Sequence, residues 1–149
     1  MSAPIITLTD GTNTNLPVLT FGVVDAGSQT SGILIRIWNN FANANGVSQA
    51  QNPQITTKTF NGLDGGDSIA NGNEVVQNQM VAVRCNSQGD TAYTNIGGAN
   101  TAPIADAPNQ NPHIIASSSF AECLVRANVP PASTPGNINF LIRVTYQYS

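Results

Sequence analysis

Along this chain apolar residues recur at every second position, in short runs that Gly, Pro, Asn and Asp interrupt. Such alternation belongs to a strand with one buried face, because successive strand side chains point to opposite sides. Ile5–Leu8 is the first run and closes at Asp10-Gly11; Pro17–Phe21 is the second. In Gly32–Trp38, Ile33, Ile35 and Ile37 share one face, while Leu34, Arg36 and Trp38 share the other. Large residues on both faces predict a central strand. Gln54–Phe60 sets Ile55, Thr57 and Thr59 against Thr56, Lys58 and Phe60, and ends on the turn pair Asn61-Gly62. Met80–Cys85 and a weaker run around Tyr93 come next. Phe120–Val129 opposes Phe120, Glu122, Leu124 and Arg126 to Ala121, Cys123, Val125 and Ala127. The last run puts Ile138, Phe140, Ile142, Val144, Tyr146 and Tyr148 on one face, and Asn139, Leu141, Arg143, Thr145 and Gln147 on the other.

Helical periodicity is nearly absent. Trp38–Ala50 has room for a turn or two, but Asn39, Asn40, Asn43, Asn45 and Gly46 are poor helix formers. Seven to nine strands in 149 residues predict one all-β domain spanning 1–149. The expected architecture is a two-layer antiparallel sandwich, Ig-like first and jelly roll second. Pro130-Pro131 and Pro135-Gly136 break the chain before the last strand. Two long irregular segments, Gly62–Glu74 and Ile96–Pro112, offer little to bury; such loops usually carry contacts. With the N-terminal arm at residues 1–8, they are the candidate contact surfaces.

Composition narrows the function. Only 9% of residues are charged, against about a quarter in ordinary soluble domains, and Asn plus Gln make up about a fifth by direct count. A net charge of −3, with Arg36, Lys58, Arg84, Arg126 and Arg143 scattered singly, argues against nucleic acid, whose backbone selects clustered cations. No basic-then-apolar leader opens the chain and no apolar run is long enough to span a bilayer, so cytoplasmic synthesis is expected and no membrane partner. No Asn heads an Asn-x-Ser/Thr acceptor, which leans the same way.

Candidate chemistry is thin. His113 is the only histidine, near Ser117, Ser118 and Ser119, but no nucleophile motif surrounds it, so a structural histidine is the expectation. Asp64, Asp67 and Glu74 share a Gly-rich segment that offers oxygen ligands to calcium, yet their spacing fails the EF-hand rule and turn residues explain them. Gly65-Gly66 and Gly97-Gly98 lack the strand–loop–helix setting of a phosphate cradle. Cys85 and Cys123 read as small buried hydrophobes, with a disulfide open to them if they face each other across the sandwich. Trp38 with Tyr93, Tyr146 and Tyr148 forms either a sugar-stacking platform or core and interface. Arg126 and Arg143, on the less apolar faces of what read as neighbouring strands, point to an interface, where Arg is enriched. No catalytic residue, metal site or cofactor is predicted.

Residues 19–28, Leu-Thr-Phe-Gly-Val-Val-Asp-Ala-Gly-Ser, lead into Ile33-Leu34-Ile35-Arg36-Ile37-Trp38-Asn39-Asn40. This "FG-x-V-x-AG" turn before a strand ending in paired Asn resembles the opening of Ig-like sandwich domains in tailed-bacteriophage virion proteins. Gln79–Cys85, Ile96–Ala99 and Asn139–Tyr148 are similar too. The resemblance implies a capsid decoration (cement) protein: a non-enzymatic homotrimer on the outside of a phage head, contacting the major capsid protein. It would be made in the host bacterial cytoplasm. Such a subunit stabilises the shell by binding only its assembled state. The contacts expected of it are Ile5, Ile6 and Leu8 in the arm, which either adds a strand to a partner or is the domain's own first strand. Asp64, Asp67, Arg126 and Arg143 complete the set. The rival reading is a carbohydrate- or host-receptor-binding module in a head fibre or tail, which an exposed Trp38 beside tyrosines favours and a buried one opposes.

Overall fold

The computed structural model describes residues 1–59, 71–131, 133 and 140–149. Among them run β1 (Ile6–Asp10), β2 (Ile33–Asn39), β3 (Ala50–Lys58), α1 (Asn71–Gln77), β4 (Val81–Cys85), β5 (Thr94–Ile96), β6 (Ala102–Pro103), β7 (Ile114–Ile115), β8 (Ser119–Ala127) and β9 (Leu141–Gln147). Five strands form one antiparallel sheet in the order β1-β2-β8-β4-β5. In the other sheet β3 is the centre, paired with β9, β6 and β7. The fold is a two-layer antiparallel β-sandwich.

Its core is the one that the alternation predicts. Ile35 and Ile37 of β2, Ala121, Cys123 and Val125 of β8, and Val81, Val83 and Cys85 of β4 are all buried. They pack with Ile55 of β3, Ile115 of β7 and the half-buried Ile142, Val144 and Tyr146 of β9. Each fully buried isoleucine contributes roughly 1.5–3 kcal/mol of transfer free energy. β2 lies between β1 and β8, the central position its two-sided apolar pattern implies.

Several expectations are corrected. Pro17–Phe21 joins no ladder: Leu19 and Phe21 pack against the core while Val18 remains 73% exposed. Alternating burial is present there, but Pro17 has no N–H to give to a sheet. The helix lies not in Trp38–Ala50 but at Asn71–Gln77, partly within the segment read as irregular. Val75 and Val76 are buried there, so tertiary packing outweighs a weak local propensity. In the supposedly unburied Ile96–Pro112, Ile96, Ala102, Ile104 and Ala105 are all buried and β6 joins the second sheet. The chain turns sharply at Gly97, where an added Cβ would fall inside the carbonyl of Val76. The expectations for Asn61-Gly62, Pro135-Gly136, Ile138 and Asn139 lie outside the described residues.

Of the paired Asn at the end of β2, Asn39 joins the two layers. Asn39 is fully buried; its Oδ1 accepts from the Ile5 N–H (3.1 Å), and its Nδ2 donates to the carbonyls of Ser48 (2.9 Å) and Ile115 (3.1 Å). Asn40 adopts a positive φ of 60° and closes the next turn through Ala44, donating to its carbonyl and accepting from its N–H, both at 2.8 Å. Asn tolerates that backbone region better than most residues.

Candidate interaction surface

The outward face of the five-stranded sheet holds the most unusual chemistry. In an antiparallel sandwich that face is ordinarily polar. Here β2 presents Leu34, Arg36 and Trp38, and β8 presents Phe120, Glu122, Leu124 and Arg126. Register sets Trp38 opposite Phe120, Arg36 opposite Glu122 and Leu34 opposite Leu124. On the far side of β8, Arg84 of β4 stands opposite Leu124. Tyr93 lies just before β5. Three of the chain's five basic residues therefore share one face.

Two clusters organise it. At one end Trp38 sits 4.6 Å from Phe120, tilted by 45°, and 5.0 Å from Phe41 at 63°. The Arg36 guanidinium lies over the Phe120 ring at 4.6 Å, pairs with Glu122 at 3.3 Å and donates to Asn13 Oδ1 at 2.9 Å. The Trp38 indole N–H donates to Thr9 Oγ1 (3.1 Å). At the other end Arg126 stacks on Tyr93 at 3.8 Å and Arg84 approaches the same ring at 5.7 Å. The Arg84 Nε donates to Asn86 Oδ1 (3.1 Å). Leu34 and Leu124, both half-buried, fill the space between the clusters. Arginines held over aromatic rings lose less freedom when a partner docks, and Trp, Tyr and Arg are the residues that dominate binding energy at interfaces.

The residues singled out in sequence do not all meet. Arg126 belongs to this face. Arg143 is exposed on β9, and β8 and β9 belong to different sheets. The reading of these two arginines as neighbours is thus corrected: consecutive strands cross from layer to layer. Ile6 and Leu8 are half-buried against the core in β1, which pairs with β2 of its own chain, while Ile5 stays 48% exposed. Asp64 and Asp67 lie outside the described residues. Glu74 lies in the first turn of α1.

No flat sugar platform forms from Trp38 and the tyrosines. Tyr146 and Tyr148 stand on or beside β9 in the other sheet, and Tyr93 lies under Arg126. Trp38 is half-buried, its N–H is engaged, and its ring neighbours are steeply inclined. His113 Nδ1 faces Gln88 Oε1 at 3.2 Å. Two of the serines near it in sequence are engaged elsewhere: Ser117 Oγ accepts from Asn40, and Ser118 Oγ donates to Asn43. Among the described residues, no three His, Cys, Asp or Glu side chains gather as a metal site.

Arg36, Trp38, Phe120 and Arg126 of this face were visible as one face each of two alternating runs; Phe41, Arg84 and Tyr93 were not. That β2, β8 and β4 lie side by side was not, because pairing of strands far apart in sequence leaves no local trace.

No family model matches the chain, and no curated protein matches it. Among solved structures the chain is similar to a family 123 glycoside hydrolase from Clostridium perfringens, studied for glycolipid glycan hydrolysis. The TM-score is 0.40 at 16% identity, over 83% of this chain. The chain spans 19% of that enzyme's length.

Proposed function

We propose that this chain is a non-catalytic binding module that attaches to another protein through the outer face of its five-stranded sheet, in the manner of a phage-head decoration subunit. The observation that carries the reading is the aromatic and arginine dressing of Trp38, Phe41, Phe120, Tyr93, Arg36, Arg84 and Arg126 on a face that a free-standing sandwich fills with small polar groups. Five strands at ~4.8 Å spacing and seven residues along β2 at ~3.3 Å make a face about 24 Å by 23 Å. That is about 550 Å² in plan, roughly two-thirds of one side of a standard protein–protein interface of about 800 Å². A subunit docked this way across neighbouring shell proteins raises the cost of separating them. The low charge of the remaining surface leaves the particle soluble without a strong field. In this reading the chain is a homotrimer and its partner is the major capsid protein.

The test is co-sedimentation of the purified chain with expanded heads of the phage that encodes it. The wild-type chain is expected to pellet with the shells in saturable amounts, and Arg84→Glu to stay in the supernatant while keeping the wild-type melting temperature. Light scattering should give three times 15.5 kDa. Wild-type chain that remains in the supernatant beside pelleted shells overturns the proposal.

A further inference from the structure

Cys85 ends β4, and Cys123 stands directly opposite it in β8. Both are free thiols and both are fully buried. They are the small buried residues expected, but neighbours within one sheet and not residues facing each other across the sandwich, the condition on which a disulfide was left open. Backbone parity specifies the kind of neighbour. Asn86 N–H donates to the Glu122 carbonyl (2.8 Å), which makes that a hydrogen-bonded rung. The Cys85 N–H goes instead to Asp90 Oδ2 (3.0 Å), and its carbonyl accepts from the Asp90 N–H (3.1 Å). Cys85 and Cys123 are therefore a non-hydrogen-bonded pair, the class in which opposed Cα atoms lie about 4.5 Å apart and side chains come closest. A disulfide accepts Cα separations of about 4.4–6.8 Å, so the pair closes without moving the strands apart.

The surroundings also favour reaction. The interaction between the two sulfurs holds Cys85 below the ordinary thiol range and, together with burial, pushes Cys123 above it. Cys85 Sγ lies 3.4 Å from Ser87 Oγ and 3.6 Å from the Ala105 carbonyl. One sulfur is thus the better nucleophile and the other keeps the proton. β5 pairs only with Val81–Val83, so Cys85 lies beyond the reach of that edge strand. Directly after Cys85 the chain enters the turn at Asn86–Gly89, with Gly89 at φ 88°. Opening that turn breaks the Asn86 and Ser87 bonds to Glu122 but leaves the pairing of Val81–Cys85 with β8 in place.

We propose that Cys85 and Cys123 form a redox-gated cross-strand staple, open as two thiols in a reducing compartment and closed by exchange with a low-molecular-weight disulfide. In the first step the Cys85 thiolate attacks one sulfur of that disulfide; its S–S bond breaks, a small thiolate leaves and a mixed disulfide forms. Cys123 then attacks the Cys85 sulfur, its proton passing to the departing second thiolate. Two protein thiols are oxidised by two electrons, and one small disulfide is reduced to two thiols. The new bond ties β8 to β4, joining the half of the sheet that carries Arg36 and Trp38 to the half that carries Arg84 and Tyr93. The staple is independent of what the outer face binds.

The reduced full-length chain is incubated with oxidised glutathione, quenched in acid, denatured and treated with a maleimide. Wild-type chain should lose two hydrogens by intact mass, take up no maleimide and yield a linked Cys85–Cys123 peptide. Its melting temperature should rise by about 10 °C, reversibly with reductant. Cys123→Ser should stop at a stable glutathione adduct on Cys85. A wild-type chain that keeps two maleimide-reactive thiols, halts at an adduct or forms only intermolecular dimers overturns the proposal. Because the wild-type result suffices, misfolding of the variant does not blunt the test.

Discussion

Replacing Asn39 by alanine tests how the two layers are joined. The side chain is fully buried and makes one bond to the Ile5 N–H and two to the carbonyls of Ser48 and Ile115, the last in the opposite sheet. Alanine removes all three and supplies nothing in return. The Ile5 N–H belongs to a half-exposed residue and regains water at a loss of about 0.5–1 kcal/mol, whereas each carbonyl, left in the interior, costs about 1–1.5 kcal/mol. The sum is about 2.5–4 kcal/mol, a large part of the ~5–15 kcal/mol that holds a typical domain together. For a chain of 149 residues this lowers the melting temperature by about 7–14 °C. Urea denaturation monitored by far-ultraviolet circular dichroism is the assay: the midpoint should fall while the slope stays unchanged. Asn39→Asp sharpens the test, since it keeps the acceptor for Ile5 but sets a carboxylate against two carbonyl oxygens. It should be worse than alanine at neutral pH and recover part of the loss in acid, where the protonated group donates to one of them. A loss below about 1 kcal/mol for Asn39→Ala would refute the reasoning, because it would mean that water or a rearranged partner satisfies those groups without Asn39.

The same geometry sets other outcomes. A double-mutant cycle of Arg126→Met and Tyr93→Leu should show a coupling of about 0.5–1 kcal/mol, given a guanidinium 3.8 Å from the ring; additive losses would remove the stacked pair from the account. Asp10 Oδ1 accepts from the Thr12 N–H, the Thr12 hydroxyl and the Thr14 N–H, bonds that hold its carboxyl below the ordinary value of 3.8. A lowered carboxyl adds stability above its unfolded value and loses it as pH falls through the folded one. Melting curves of Asp10→Asn and wild type should therefore differ at neutral pH and converge in strong acid; a gap that widens on acidification contradicts this. Gly97→Ala should cost about 1–3 kcal/mol by thermal melting, because its Cβ would collide with the Val76 carbonyl at the end of α1, and an unchanged melting temperature would show that the helix yields freely.

Local pattern was enough to place the long strands and their buried faces. In β2 and β8 the alternation assigns the core residues correctly down to Ile35, Ile37, Cys123 and Val125, because a residue's side of a strand depends only on its parity in the sequence. It failed where burial depends on neighbours remote in the chain. Pro17–Phe21 alternates yet has no partner strand, while Ile104 in a Gly- and Ala-rich stretch becomes fully buried because β3 lies beside it. α1 has weak helical propensity and forms where Val75 and Val76 reach the core. The sequence by itself therefore determined an all-β chain, the core-facing residues of β2 and β8, and an outward set of aromatic and arginine side chains on those two strands. Only the tertiary structure decided that Arg126 and Arg143 lie in different sheets, that Arg36, Arg84 and Arg126 share one face with Trp38 and Tyr93, and that Cys85 meets Cys123. The reason is physical: parity is a property of one strand, whereas adjacency is set by which strands the whole core can bury together.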